Sequence, residues 1–208
     1  MIHIASFSRG KDSTAMVHKM LEANIPISYL MYFETGWDFL EMEEHIKKVE
    51  KNTGIKLIRV RYYRHFEELL SCYGWPGFNG GWCVACKIKT CKKFIHAFNA
   101  PKIQYMGFSA DEVKRAKKKT MYETKWKTSY PLIEAKMTAA DALSYCRSLG
   151  YDWSGLYDIF SRVSCFCCPN GGKTQRRKIQ ENFPKLEKEW QRLDVIAANR
   201  RPLLSVQE

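Results

Sequence analysis

The start of the chain constrains its fold more than any other stretch. An apolar run, Met1 to Ala5, leads through Ser6-Phe-Ser-Arg-Gly-Lys-Asp-Ser13 into a helix-like run from Thr14 to Ala23. A strand that passes into a helix through a short polar turn places that turn at the positive end of the helix dipole. Unpaired N–H groups point into it, so the turn is a ready anion site. Gly10 permits close backbone approach, Lys11 adds a mobile cation, and Ser8 and Ser13 add hydroxyl donors. The expected guest is a nucleotide phosphate or a sulfate group; the plain alternative is an ordinary β-turn with a solvated lysine. A Walker A loop is excluded, because Lys11 is followed by Asp12 rather than Ser or Thr.

The next hundred residues alternate strand and helix signals. Strand-like runs fall at Ile2–Phe7, Ile27–Phe33, Ile55–Val60 and Ile103–Gly107. Helices are expected over Thr14–Ala23 and about Asp38–Asn52, the second stopped by Gly54. Uniformly apolar strands joined by helices imply an α/β fold, a parallel sheet flanked by helices in the Rossmann manner. Ligands in such sheets bind beyond the carboxyl ends of the strands. Ser6–Ser13, Glu34–Gly36 and Gly107–Ser109 all fall at such ends, so three segments are expected to converge on one site. Cys72 to Gly81 reads as an irregular loop, followed by a basic helix over about Lys87–Asn99. Thr138 opens a helix through a capping box with Asp141, and Gly150 follows its end. The basic tail from about Lys173 to Ala198 is expected to be helical, interrupted near Pro184, and either to cap the sheet or to face a partner. Residues 1–170 then form the main unit, and 171–208 a basic helical extension of it.

The 208 residues suffice for one sizeable core, and 45% are hydrophobic. No apolar run reaches membrane-spanning length and no secretory leader is evident, so a reducing cytoplasm is expected. Eight cysteines there read as thiols or metal ligands rather than disulfides. The net charge of +12 draws anions, and it gathers in Lys87–Lys93, Lys114–Lys119 and Lys173–Lys178. Each cluster alone is compatible with mere solubility. The three together favour a polyanionic ligand, and an RNA or DNA substrate stays open.

Cys83-x-x-Cys86 and Cys165-x-x-Cys168 are two pairs at metal-knuckle spacing. Together they could close a tetrahedral site for zinc or hold an iron–sulfur cluster. The 78 residues between Cys86 and Cys165 require the fold to bring the pairs together. Cys91 and Cys167 are spare thiols, alternative ligands or sulfur carriers; Cys72 and Cys146 read as packing residues. Incidental buried thiols are the competing reading for all of them.

Several segments carry a family resemblance. Ser8-Arg-Gly-Lys-Asp-Ser13 resembles the Ser-Gly-Gly-Lys-Asp-Ser signature of PP-loop enzymes, the adenine nucleotide alpha-hydrolase-like superfamily, with Arg9 in place of its first glycine. If that position needs a positive φ, Arg9 is strained by ~1 kcal/mol or more; alternatively it adds a second cation for the anion. Later matches point to the phosphoadenosine phosphosulfate (PAPS) reductase family. Phe33-Glu-Thr-Gly36 resembles its Asp-Thr-Gly. Gly107-Phe-Ser-Ala-Asp-Glu-Val-Lys-Arg115 resembles its Gly-x-Arg-x-x-Glu-Ser-x-x-Arg, with Ser109 where Arg is usual. Tyr130-Pro-Leu-Ile133, Leu156-Tyr-Asp158 and Arg162-Val-Ser-Cys-Phe-Cys-Cys-Pro169 follow in the family's order.

That resemblance implies an adenine nucleotide, ATP or PAPS, with Mg²⁺, held by Ser6, Phe7, Ser8, Arg9, Gly10, Lys11, Asp12 and Ser13. Glu34, Thr35, Gly36, Gly107, Ser109 and Arg115 complete the expected binding set. Lys11, Asp12, Cys165 and Cys167 are the expected catalytic groups, and Cys83, Cys86, Cys165 and Cys168 the expected ligands of zinc or a [4Fe-4S] cluster. A thiolate among them would need electropositive surroundings, which the basic segments could supply. The family's assimilatory reductases use a cysteine in a C-terminal Glu-Cys-Gly-x-His motif, and no cysteine follows Cys168 here. The leading expectation is therefore ATP-dependent adenylylation followed by sulfur transfer, the sulfur coming from these cysteines or from a donor protein. A thiol-dependent PAPS or adenosine phosphosulfate reductase and a non-catalytic, metal-stapled nucleic-acid-binding module are the alternatives.

Overall fold

The computed structural model describes residues 1–77, 81–120 and 126–200. Five parallel strands form one sheet in the order β3-β2-β1-β4-β5. They are β1 (Ile2–Ser6), β2 (Tyr29–Phe33), β3 (Leu57–Val60), β4 (Lys102–Met106) and β5 (Lys127–Ser129). The first two connections run outward from β1 through α1 (Lys11–Glu22) and α2 (Glu41–Thr53). The chain then crosses back through α3 (Phe66–Tyr73) and α4 (Trp82–His96) to β4, and on through α5 (Val113–Thr120) to β5. With right-handed crossovers, α1 and α2 cover one face and α4 and α5 the other. The strand order reverses between β1 and β4, which are in register from Ile2↔Lys102 to Ser6↔Met106. Their carboxyl ends therefore open a crevice at the switch point.

The strands are apolar throughout because both faces are covered. Ile4, Ala5 and Leu30 are fully buried, as are Ala15, Met16, Val17 and Met20 on the inner side of α1. Each large side chain so buried contributes about 1.5–3 kcal/mol. Gly54 ends α2 in the left-handed conformation, at φ 72°. The capping box starts α7 (Ala139–Ser148): the Thr138 hydroxyl accepts from Asp141 N–H, and the Asp141 carboxylate accepts from Thr138 N–H. Short helices α6 (Pro131–Glu134) and α8 (Leu156–Ile159) flank α7 in the sequence.

The tail forms α9 (Gly172–Asn182) and α10 (Pro184–Ala198), broken at Pro184. It folds back onto α3. Leu193 and Ile179 are fully buried, Trp75 donates to Asp194 at 2.8 Å, and Arg192 grips Glu67 with two hydrogen bonds.

One expectation changes, and two elements appear where none was expected. The helix expected from Lys87 begins at Trp82, so Cys83 and Cys86 sit on its first turns rather than in the loop before it. Phe66–Tyr73 is a helix although its run is short, because Phe66, Leu69 and Leu70 pack into the core. The fifth strand, Lys-Thr-Ser, has no apolar signal; it is an edge strand held by pairing with β4.

Candidate functional site at the β1–β4 crevice

The turn after β1 stands at the switch-point crevice. Gly10 precedes α1 in an extended conformation, and no side chain caps the helix start. Inside the turn, the Ser8 N–H and hydroxyl both reach the Ser13 hydroxyl, at 3.1 and 3.0 Å, and Ser13 donates to the Gly10 carbonyl. Lys11 Nζ rests on the Asp12 carboxylate at 2.9 and 3.0 Å. The Lys11 backbone N–H donates to the Tyr157 hydroxyl at 2.8 Å. Trp153 Nε1 donates to the Arg9 carbonyl at 2.8 Å. Trp153 and Ser154 have φ near 50°, rare for such residues, and this kink aims the indole at the turn.

The groups expected at the other strand ends lie around the crevice. Gly107 packs on the start of α1: a Cβ there would fall 2.9 Å from Ser13 Cα and 3.0 Å from the Asp12 carbonyl carbon. Thr35 and Gly36 follow β2, with Gly36 at φ 81°. Glu34 is neither solvated nor free, since Arg59 Nη1 holds it at 3.0 Å and Arg61 also pairs with it. Arg115 pairs with Glu112 at 2.5 Å and lies over the Phe108 ring.

Four expected binding residues present no side chain to a ligand. Ser109 is 1% exposed. Phe7 is a core residue stacked on His45, and its N–H bonds the Met31 carbonyl. The Ser6 hydroxyl accepts from Gln104 at 2.7 Å across the sheet. Arg9 has φ 67°, the positive value expected of the glycine it replaces. Its guanidinium, however, turns inward to an ion pair with Asp38 and lies 4.0 Å from the centre of the Tyr32 ring. The reading of Arg9 as a second cation for the anion is corrected: its charge is spent on a buried carboxylate.

From Asp38 the contacts run on to the cysteines. Asp38 accepts from the Tyr32 hydroxyl at 2.6 Å and from Thr35 at 3.2 Å, and the Thr35 hydroxyl meets Cys165 Sγ at 3.2 Å. Burial, then the Asp38 charge, pushes the Cys165 thiol up to about 12. The electropositive surroundings expected for a thiolate are thus absent at Cys165, where the foremost charge is a carboxylate. Cys167 is 1% exposed and also pushed upward by burial, so its expected catalytic role is corrected to a packed core thiol.

The segments that carry the two Cys-x-x-Cys pairs are linked through Trp37. Phe166 N–H bonds the Trp37 carbonyl, and Trp37 packs against Trp82 at the start of α4. The Cys83 thiol feels the charge of Cys168, and Cys165 that of Lys87. Yet among the described residues no three His, Cys, Asp or Glu side chains stand together in a way that could hold a metal ion. The expected ligand set does not stand together as a metal site: Cys165 faces Thr35, and Cys86 faces the Tyr62 side chain. A cleft of about 690 Å³ opens beside this corner, lined in part by Thr35, Gly36, Trp37, His65 and Phe66.

Sequence reasoning gave no role to Tyr157, Trp153 or Asp38. Tyr157 lies in the Leu-Tyr-Asp segment noted only as a match. Asp38 and Trp153 are a lone acid and a lone aromatic, and nothing local marks either as a partner of the turn.

The chain matches the family described as phosphoadenosine phosphosulfate reductase domain over residues 2–171. Among curated proteins it is similar to two uncharacterised proteins of Methanocaldococcus jannaschii. One is 30% identical over 196 residues, covering 90% of this chain and 40% of the relative. The other is 26% identical over 200 residues, covering 92% and 46%. The chain thus spans less than half the length of these relatives. Among solved structures it resembles the U34-tRNA thiolase NcsA from Methanococcus maripaludis with its [4Fe-4S] cluster. The TM-score is 0.50 at 16% identity, with all of this chain and 76% of that chain covered, a likeness of fold.

Proposed function

This chain belongs to the phosphoadenosine phosphosulfate reductase family, a PP-loop nucleotide-binding family, and from that premise we propose that it adenylylates an acceptor with ATP and then transfers sulfur to it. The observation that carries this reading is the juxtaposition of the uncapped start of α1, at Gly10–Ser13, with a contact path from Arg9 through Asp38 and Thr35 to Cys165. It supports reading an anion site and a sulfur atom as neighbours at the carboxyl ends of the strands.

In this reading the N–H groups at the start of α1 and the Ser8 and Ser13 hydroxyls receive the nucleotide phosphates. Lys11 leaves Asp12 for the phosphates and stabilises the charge that develops as an acceptor oxygen attacks the α-phosphorus and pyrophosphate departs. The released Asp12 carboxylate is the group placed to hold Mg²⁺, which would supply Lewis-acid stabilisation to the same phosphates. The outer sulfur of a persulfide on Cys165, loaded there by exchange with the persulfide of a sulfur-donor protein, then attacks the acceptor carbon; the C–O bond breaks and AMP leaves with the electron pair. Cys168 attacks Cys165 Sγ, the thiolated acceptor leaves, and a dithiol reduces the Cys165–Cys168 disulfide that remains. Cys165, whose Sγ meets the hydroxyl of Thr35 in the lining of the 690 Å³ cleft, is the thiol proposed for this role. The U34-tRNA thiolase fold neighbour favours a nucleic-acid acceptor for such chemistry.

Cys83, Cys86, Cys165 and Cys168 are the soft donor set that would hold zinc or a [4Fe-4S] cluster, once Cys165 and Cys86 release Thr35 and Tyr62. The domain reading is kept with this proposal: 1–170 carries the site and 171–208 is its basic extension, of which α10 buttresses α3.

One product analysis tests the chemistry. The protein is incubated anaerobically with ATP, Mg²⁺, PAPS, a dithiol and total RNA as the acceptor, and every adenine product is resolved. AMP with pyrophosphate, lost in Lys11→Ala, is expected. Adenosine 3′,5′-bisphosphate with sulfite would replace the proposal by the reductase reading, and turnover of neither nucleotide would remove both.

A further inference from the structure

The three basic segments do not survive folding equally. In α9, Arg176 is taken by Glu187 and Asp194, Arg177 by Glu181, and Lys178 by the Ile159 carbonyl. In α5, Arg115 is taken by Glu112, which precedes the helix, while Lys114 and Lys117 stay exposed. α4 keeps the longest run: its fifteen residues include Lys87, Lys89, Lys92 and Lys93 and no acidic residue. All four lysines are exposed, and among the described residues none forms an ion pair. Lys89, Lys92, Lys93 and His96 recur at three- and four-residue spacing and so share one face of the helix.

A second feature adjoins the first turns of α4. Tyr63, just beyond the end of β3, is 74% exposed, far more than an aromatic ring needs for folding. Its ring lies 4.5 Å from that of Tyr62, and the Arg64 guanidinium stands 5.6 Å from its centre. β3, which Tyr62 and Tyr63 closely follow, packs against α4, and Tyr62 faces the Cys86 thiol on that helix. An exposed ring backed by a second ring and a guanidinium therefore adjoins the helix that carries the unpaired lysines. That helix also carries the first cysteine pair, Cys83 and Cys86.

We propose that the Tyr62–Tyr63–Arg64 cluster and the Lys89–Lys92–Lys93 face of α4 form a docking track for an unpaired nucleic-acid segment. A base stacks on Tyr63 and the phosphodiester backbone follows the lysines. Cationic track plus stacking platform is the combination that suits single strands; a duplex hides its base faces and offers only phosphates. The proposal deepens the sulfur-transfer reading by naming the acceptor's class and its route to Cys165, and it rests on that reading for its purpose though not for the binding itself.

The test is fluorescence anisotropy with a labelled single-stranded RNA of mixed sequence, its DNA counterpart and the matching duplex, over a salt series. Single strands of either sugar are expected to bind more tightly than duplex. Tyr63→Ala is expected to weaken single-strand binding by roughly 5- to 100-fold and duplex binding little. Lys89→Gln/Lys92→Gln/Lys93→Gln is expected to flatten the log–log salt slope by about 2. The control Lys51→Gln/Lys185→Gln/Lys188→Gln, on α2 and α10, should change neither. Equal loss in the control, equal affinity for duplex, or no binding at low salt would overturn the track. ATP affinity and the nucleotide product assay separate the two ideas. ATP binding by equilibrium dialysis should stay at the wild-type level in the same variants, whereas a wild-type protein that binds RNA but turns over no nucleotide would sink the functional reading and leave the track standing.

Discussion

Arg9 and Asp38 form an ion pair inside the protein, with 4% and 14% of their side chains exposed. Arg9 belongs to the anion-binding turn and Asp38 to the segment after β2, so the pair ties two strand ends together. The arrangement accounts for a non-glycine residue at φ 67°. The left-handed conformation costs about 1–2 kcal/mol, and the buried pair and the Tyr32 ring hold it in place. Arg9→Gly removes the strain but leaves the Asp38 charge unpaired, and breaking a buried pair from one side costs about 3–5 kcal/mol. A net loss of about 2 kcal/mol or more in urea unfolding is expected. Arg9→Gly/Asp38→Asn, which removes both charges, should recover most of it. If Arg9→Gly alone is as stable as the parent, the pair has no structural role.

His45 gives the fold a pH dependence. It is 3% exposed, stacked on Trp153, with Nε2 2.9 Å from the Thr14 hydroxyl. Burial, and secondarily the Arg9 charge, holds its pKa down to about 3. The folded value lies below the unfolded one of about 6.5. Between the two, the unfolded chain binds a proton that the folded chain does not. The contribution is therefore whole above about pH 6.5 and is lost as pH falls toward 3, by up to about 1.4 kcal/mol per pH unit. Unfolding free energies measured from pH 7 to pH 4 should fall more steeply in the parent than in His45→Gln, by about one proton. Parallel curves would mean that His45 is already charged in the fold.

Much of this architecture is legible in the residues. Four of the five strands, the helices from Thr14 and Asp38, the stop at Gly54 and the Thr138–Asp141 box are local signals of periodicity and capping. The fifth strand is not legible, because Lys127–Ser129 is an edge held only by its neighbour. The convergence of three segments follows from their shared place at strand ends. The direction of a side chain does not: whether Arg9 faces the ligand or Asp38 depends on a carboxylate 29 positions away. Charge runs mislead for the same reason. Sequence counts the cations of α9, and only the packing of α10 shows that Glu187 and Asp194 have taken Arg176.

Gly107 offers a sharper probe of the crevice than any charged residue. A methyl group there meets backbone of Asp12 and Ser13 at 2.9–3.0 Å, and backbone cannot rotate aside. Gly107→Ala must push β4's end away from the start of α1. Overpacking of this kind costs about 1–3 kcal/mol. The expected outcome is a folded protein whose nucleotide affinity, measured by equilibrium dialysis with ATP, drops at least tenfold. Gly77→Ala, where a Cβ would meet nothing within 4 Å, is the control. Unchanged affinity in Gly107→Ala would place the nucleotide elsewhere.

The cysteine corner makes a prediction about metal that does not depend on turnover. Burial raises the pKa of Cys83, Cys86 and Cys165, so in the metal-free fold these thiols carry their protons at neutral pH. A zinc ion or a [4Fe-4S] cluster needs thiolates, so its binding must release protons and must draw Cys165 off Thr35 and Cys86 off Tyr62. Anaerobically purified protein should contain zinc, or iron with acid-labile sulfide, at one centre per chain. Serine at Cys83, Cys86, Cys165 or Cys168 should lower that content severalfold, while Cys72→Ser and Cys146→Ser should leave it unchanged. Metal uptake followed in weak buffer should acidify the solution, and chelation should lower the melting temperature. Protein that is metal-free as isolated, takes up neither metal and melts at the same temperature with and without chelator would leave the four thiols as packing residues. The contact between Thr35 and Cys165 would then be their resting state rather than a ligand site waiting to close.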